Sequence, residues 1–222
     1  METRQKIVIY GNGQMAEFAW ARLGDDARQL VAGFTVDAAH LREPSLRGLP
    51  VVAFEELARL FPAESHRMFI AVGPVECNRI RGARFERARE LGYRFASYLS
   101  PRAMVARDVV IGANALIGDG AIVQAFVNLG DNVHVGAGCI VGHHSVVGDH
   151  CFLAPGCVVA GSVGIGQRSF LGANATVRDR LQIGSDCVVG AGATIVRSTA
   201  PSSVHVAPEA VLLPIDSHQI RF

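Results

Sequence analysis

The residues best equipped for chemistry are four histidines within seventeen positions: His134, His143, His144 and His150. A neutral imidazole accepts a proton near pH 7, so the adjacent pair His143–His144 suits general base work. The five cysteines, Cys77, Cys139, Cys151, Cys157 and Cys187, form no C-x-x-C pair, and their odd number argues for reduced thiols over a disulfide framework. A second candidate lies near the start. Gly11-x-Gly13-x-x-Ala16 follows a short apolar run and resembles a turn whose backbone N–H groups and following helix face a phosphate. Asp37, at the end of the next apolar run, is placed to accept a hydrogen bond from a ribose or base.

The histidines stand inside an internal repeat. From Val105 to Ile195 every sixth residue is aliphatic, sixteen hexads without a slip. The next residue is glycine in ten of the sixteen, which reads as backbone freedom at a corner. The fifth residue of each hexad is small or modest, Cys139, Ser145, Cys151 and Cys157 among them, as a narrow interior requires. Neither a helical period of 3.6 nor a strand period of 2 gives this pattern. A solenoid of short parallel strands with three hexads per turn does, so residues 105–200 read as a β-helix about 25 Å long. Four of the cysteines then pack its interior, and Cys77 also reads as structural.

Residues eighteen apart stack in such a coil. His143 therefore has Ala125 below it and Gly161 above it, small neighbours that leave a niche. His134 stacks with Phe152 and Phe170, and His150 with Asn132 and Arg168. No two of these histidines share a column and no acid or thiol completes a tetrahedral set, so no metal site is expected.

Residues 1–100 alternate strands and helices. Strands are expected at Lys6–Tyr10, Leu30–Val36, Val51–Phe54, Met68–Gly73 and Phe95–Leu99, with helices at Gln14–Leu23, Glu55–Leu60 and Cys77–Leu91. This pattern predicts a small parallel sheet of Rossmann-like type. Ser100 to Met104, with Pro101, reads as a hinge, giving domains 1–100 and 101–222. About 100 residues favour a mononucleotide or nucleotide-sugar ligand over a dinucleotide. The third helix is rich in arginine, which would steer a pyrophosphate, although Glu86, Arg87 and Glu90 read as a salt-bridged face. Residues 201–222, with a strand around Val204–Ala207 and then Leu212, Leu213 and Pro214, are expected to cap or flank the rod.

Composition narrows the partners. The 222 residues are 50% apolar and carry a formal net charge of +1, so a folded core is expected and a field for nucleic acid or an anionic membrane is not. The start Met1-Glu-Thr-Arg-Gln-Lys has no apolar leader core, and no run of eighteen apolar residues occurs. The expectation is a cytoplasmic protein.

The hexad array with Val141-Gly142-His143-His144-Ser145-Val146-Val147-Gly148-Asp149 resembles the hexapeptide-repeat acyltransferases. The whole chain is similar to their sialic acid O-acetyltransferase branch, which includes bacillosamine-pathway nucleotide-amino-sugar N-acetyltransferases. The resemblance implies an α/β Rossmann-like domain followed by a left-handed parallel β-helix, working as a homotrimer. It implies acetyl-CoA as co-substrate and a nucleotide-linked sugar as acceptor in bacterial surface-glycan biosynthesis. The family motif I-x-H-x-x-V-I-G falls on Val141, His143, Val146, Val147 and Gly148, which makes His143 the base. Gly13, Gln14, Met15, Asp37 and Gly73 would contact the nucleotide-sugar, and Phe152, Gly161 and Ala173 would line the acetyl-CoA groove.

Departures from the family stand at Met15 and Phe152, each in place of a histidine, at His144 in place of an acid, and at Pro74-Val75 in place of a polar pair. Direct acetyl transfer is expected, with His143 taking the proton of the nucleophile, His144 beside it, and a backbone N–H near Gly161 stabilising the oxyanion. The alternatives are a sugar O-acetyltransferase of the same fold, a non-catalytic nucleotide-sugar-binding protein, or a rod that is purely structural or holds zinc between subunits.

Overall fold

The computed structural model describes residues 5–24, 30–212, 214 and 217–219. Leu213 of the expected C-terminal cap lies outside the described residues.

The chain opens with β1 (Lys6–Tyr10), α1 (Gln14–Gly24), β2 (Leu30–Val36), β3 (Ser45–Leu46), β4 (Leu49–Ala53), α2 (Leu57–Leu60), β5 (His66–Ile70), α3 (Arg79–Glu90) and β6 (Arg94–Phe95). The sheet order is β3-β4-β2-β1-β5-β6. All neighbours are parallel except the β3–β4 hairpin at the edge. The apolar run of β1 is covered on both faces, as parallel sheets require. Ile7 and Ile9 pack with Ala16, Ala19 and Leu23 of α1, while Val8 and Tyr10 pack with Leu57 of α2 and Phe85 of α3. The strand order reverses between β1 and β5, which opens a crevice beyond their carboxyl ends.

The second part is a left-handed parallel β-helix. Two-residue strands pair residue i with i+18 on each of three faces, as in Leu116↔His134, Ile140↔Val158 and Val146↔Gly164. The aliphatic hexad residues and the small slots both point inward and form one continuous core. The slot favours Cys and Ser for a further reason. Each thiol or hydroxyl donates to an inward carbonyl of the next coil, Cys139 to Ala154 at 3.0 Å, Ser145 to Ala160 at 3.0 Å and Cys157 to Gly172 at 3.0 Å. A buried carbonyl would otherwise lack a second partner.

The glycine reading needs correction. None of the ten hexad glycines has positive φ; the left-handed corners lie two residues later, at Asn114, Phe126, Asn132, His144 and His150 among others. The glycines are required instead by close approach, since a Cβ on Gly142 would meet the Ala160 backbone at 2.5 Å. Two further expectations shift. The strand foreseen over 95–99 is two strands of different sheets: Arg94–Phe95 extends the β5 edge, while Tyr98–Leu99 pairs with Leu116–Ile117 of the rod. Residues 100–104 are therefore no hinge but part of the first coil, with Ser100 N–H donating to Ile117 O at 2.9 Å and Met104 N–H to Ala121 O at 2.8 Å.

The two parts are joined through α3. Arg81 is fully buried and its guanidinium donates to Asn132 O, to Asn132 Oδ1 at 2.9 Å, to Asn78 Oδ1 at 2.9 Å, to His150 O at 2.6 Å and to Cys151 O at 3.2 Å. Asn114 reaches back to both backbone groups of Ile70 in β5 and bonds Asn132 at 2.7 Å. A column of corner side chains thus docks the first domain. Cys77 joins this junction, its thiol donating to Arg168 O at 3.2 Å.

Candidate active site

His143 follows the strand Ile140–Val141 and is exposed at a coil corner, while His144 takes the left-handed conformation with φ 60°. That backbone turn swings the two imidazoles against each other. Their Nδ1 atoms are 3.1 Å apart and the ring planes stand at 87°. Phe126, one coil earlier, packs on the His144 ring at 4.6 Å between centroids. The backbone N–H of His143 donates to Gln124 Oε1 at 3.0 Å, which ties His143 to the coil below. Sequence reasoning passed over Gln124 and Phe126; the signal was their spacing of nineteen and eighteen residues before His143 and His144.

The niche expected above His143 is present. A Cβ on Gly161 would lie 2.7 Å from His143 Cε1 and 2.8 Å from Nε2, so the ring rests directly on this glycine. Among the described residues the Gly161 N–H has no acceptor. A cavity of about 480 Å³ runs from His144 along Val146, Ser162 and Gly164 to Gln182 and Pro201. Gly164 leaves the dip in its floor, between Val146 and Gln182 of the neighbouring coils.

The other site residues divide into two groups. Phe152 lies on a different face of the rod, 5.3 Å from His134 and 5.9 Å from Phe170 between ring centroids, and Ala173 is at the corner after that face's strand Phe170–Leu171. One chain therefore places neither in the column of His143. Gly13, Gln14, Met15, Asp37 and Gly73 do converge, at the carboxyl edge of the first sheet. Nothing lies within 4 Å of a Cβ placed on Gly13, and at Gly73 only Met15 Cγ at 3.9 Å. Both oxygens of Asp37 have a partner: Oδ1 accepts from the Tyr10 hydroxyl at 2.8 Å and Oδ2 pairs with Arg84 at 2.5 Å.

His134 and His150 belong to neither group. Both are buried at the domain junction, His150 with Nδ1 3.0 Å from Asn132 Nδ2 and His134 stacked on Phe69 with both ring nitrogens unpartnered. Burial, reinforced by nearby Arg81, holds His134 well below the ordinary histidine value and lowers His150 as well. Among the described residues no three His, Cys, Asp or Glu side chains gather as a metal-ligand set, and no helix is long and apolar enough to cross a membrane. The expected salt-bridged face of α3 is seen in Arg87–Glu90 at 2.9 Å and in Arg89–Glu86. Arg81 and Arg84 leave that face for the rod and for Asp37.

The chain matches the bacterial transferase hexapeptide family (six repeats) over residues 126–161 and 162–197. The hexapeptide repeat of succinyl-transferase matches residues 108–143. No curated protein matches the sequence. Among solved structures, PerB from Caulobacter crescentus, in complex with CoA and GDP-perosamine, is 30% identical with a TM-score of 0.82 over 91% of this chain and 94% of its own. The acetyltransferase domain of PglB from Neisseria gonorrhoeae FA1090, in complex with acetyl coenzyme A, is 26% identical with a TM-score of 0.79 over 91% and 96%. WeeI from Acinetobacter baumannii AYE, at 21% identity and a TM-score of 0.81, shares the fold. With its stacked hexads, its small α/β domain and this full-length likeness, the chain belongs to the hexapeptide-repeat sugar acetyltransferases of the nucleotide-amino-sugar N-acetyltransferase type.

Proposed function

We propose that this protein transfers an acetyl group from acetyl-CoA to the amine of a nucleotide-linked amino sugar, with His143 as general base. The observation that carries the assignment is the His143 imidazole resting on Gly161 and paired with His144, at the head of an open groove. The ligands named for PerB and the PglB domain support the two substrate classes.

The chemistry follows from the tautomers. When His143 Nδ1–H donates to His144 Nδ1, the Nε2 lone pair of His143 is free to take a proton. The sugar nitrogen attacks the thioester carbonyl, its proton passes to His143 Nε2, and the oxyanion is met by the free N–H of Gly161. Collapse expels the CoA thiolate, which recovers the proton from His143. No covalent enzyme intermediate is needed.

In this reading Gly13, Gln14, Met15 and Gly73 hold the nucleotide-sugar, Asp37 serves the same site through the side chains it binds, and Gly161 stands at the thioester end of the acetyl-CoA groove. Phe152 and Ala173 reach that groove from a neighbouring rod in a homotrimer. The apolar outward column Met104, Ile122, Ile140 and Val158 supports such packing. The setting is synthesis of a bacterial surface-glycan precursor in the cytoplasm.

The test is CoA release from acetyl-CoA with UDP-, dTDP- and GDP-linked 3-amino and 4-amino sugars, GDP-perosamine included, beside hydroxyl-only controls. Turnover on an amine, lost in His143→Ala, is the expected result. Turnover on hydroxyls alone makes the protein an O-acetyltransferase. Binding without CoA release makes it a nucleotide-sugar-binding protein.

A further inference from the structure

Three side chains close a ring at the carboxyl edge of the first sheet. The Tyr10 hydroxyl donates to Asp37 Oδ1 at 2.8 Å, Arg84 Nε donates to the Tyr10 oxygen at 3.0 Å, and Arg84 Nη2 pairs with Asp37 Oδ2 at 2.5 Å. Burial and the neighbouring Asp37 carboxylate push the Tyr10 phenol up to about 12, so it remains a donor in this ring. Each carboxylate oxygen of Asp37 thereby has a partner within the ring. Arg84 is different: its side chain is 33% exposed, and Nη1 has no partner among the described residues.

The position of this ring matters as much as its bonds. Tyr10 ends β1 and Asp37 follows β2, so the guanidinium stands beside the crevice where the strand order reverses. The crevice is open at Gly13 and Gly73, and α1 directs the positive end of its dipole toward the same edge. A planar guanidinium held on two edges and free on the third is suited to an oxyanion. A free carboxylate there would instead select N–H donors, and Asp37 is not free.

We propose that Arg84 is the residue that receives the diphosphate of the nucleotide-linked substrate, with Asp37 and Tyr10 as positioning residues that fix its guanidinium. The inference rests on the reading that the first domain takes a nucleotide-linked sugar. Arg84 then reads the phosphates and leaves the base to other contacts. A lysine in its place keeps the charge but loses both the planar fork and the bond to Tyr10.

The experiment is calorimetric titration of the intact protein with UDP, GDP and dTDP, the tightest of the three being carried through Arg84→Met, Arg84→Lys and Asp37→Asn. Arg84→Met is expected to weaken that diphosphate at least tenfold and Arg84→Lys severalfold. Asp37→Asn should weaken it as well, with the Asp37→Asn/Arg84→Met double variant no weaker than Arg84→Met alone. Acetyl-CoA affinity, measured on the same samples, should stay within twofold of wild type and reports that the variants are folded. Affinity of Arg84→Met within twofold of wild type overturns the proposal, as does a double variant whose losses add. A wild-type protein that binds none of the three diphosphates yet acetylates a sugar overturns the nucleotide reading itself.

Discussion

His143 and His144 meet through their Nδ1 atoms at 3.1 Å, with the rings nearly perpendicular. At that separation one nitrogen donates and the other accepts, so the two tautomers are coupled. A general base at His143 Nε2 requires His144 Nδ1 to be the acceptor. In the proposed mechanism His144, accepting at Nδ1, does what a carboxylate does beside other general bases: it holds the proton of His143 on Nδ1.

His143→Ala is expected to lower kcat at least 10²-fold, the scale of a general base contribution. His144→Phe keeps a ring against Phe126 but removes the acceptor, and is expected to lower kcat about tenfold with KM for acetyl-CoA unchanged. His144→Glu should recover part of that loss. Steady-state CoA release across pH measures all three, and an unaltered kcat in His144→Phe would remove His144 from the mechanism.

Gly161→Ala places a methyl 2.7 to 2.8 Å from the His143 ring. The imidazole must shift, and a displacement near 1 Å at a reacting atom costs about 10²-fold in rate. The expected outcome is a fall in kcat of that order with little change in thermal unfolding, because the ring moves into solvent. Activity and differential scanning calorimetry on the same sample separate the two.

Stability should fall on acidification below about pH 6.5, the ordinary histidine value. His134 and His150 are held neutral in the folded protein by burial first and by Arg81 second, while the unfolded chain takes up their protons. The unfolded state therefore binds more protons below that pH, and the contribution is complete above it. His134→Phe, whose stacking partners Phe69 and Phe152 accept another ring, should flatten the acid limb in urea midpoints taken between pH 7.5 and 5.

Arg81→Met removes the donor for five buried acceptors at the domain junction. The cost expected is about 3 kcal/mol or more, since bonds to a charged group contribute about 1.5–3 each. Scanning calorimetry should show the first domain melting ahead of the rod, where the native protein gives one transition. A single unshifted transition would contradict this.

The rod was legible because its signal is one-dimensional. A hexad period fixes which residues point inward and makes residues eighteen apart neighbours, so the niche of His143 under Gly161 follows from counting. The first strands and helix were equally local: β1 and β2 begin and end at the expected residues, and α1 runs one residue further, to Gly24. What the hexads misled on was glycine, because a sequence marks the residue without saying whether φ or crowding requires it.

Tertiary structure decided the rest. Which face of the rod the first domain covers is set by long-range packing with no period to betray it, so the burial of Arg81, His134 and His150 was invisible. The same holds for the pairing of Arg84 with Asp37, forty-seven residues away, since the sequence offers the arginines of that helix to a pyrophosphate without singling one out. The separation of Phe152 from His143 on one chain is also a matter of three dimensions, since the coil places hexads one and a half apart on different faces. Sequence by itself determined the coil and its register, and with them the neighbours of His143; only the docking of domain on rod decided which charged groups are buried and which, like Arg84, stay partly exposed.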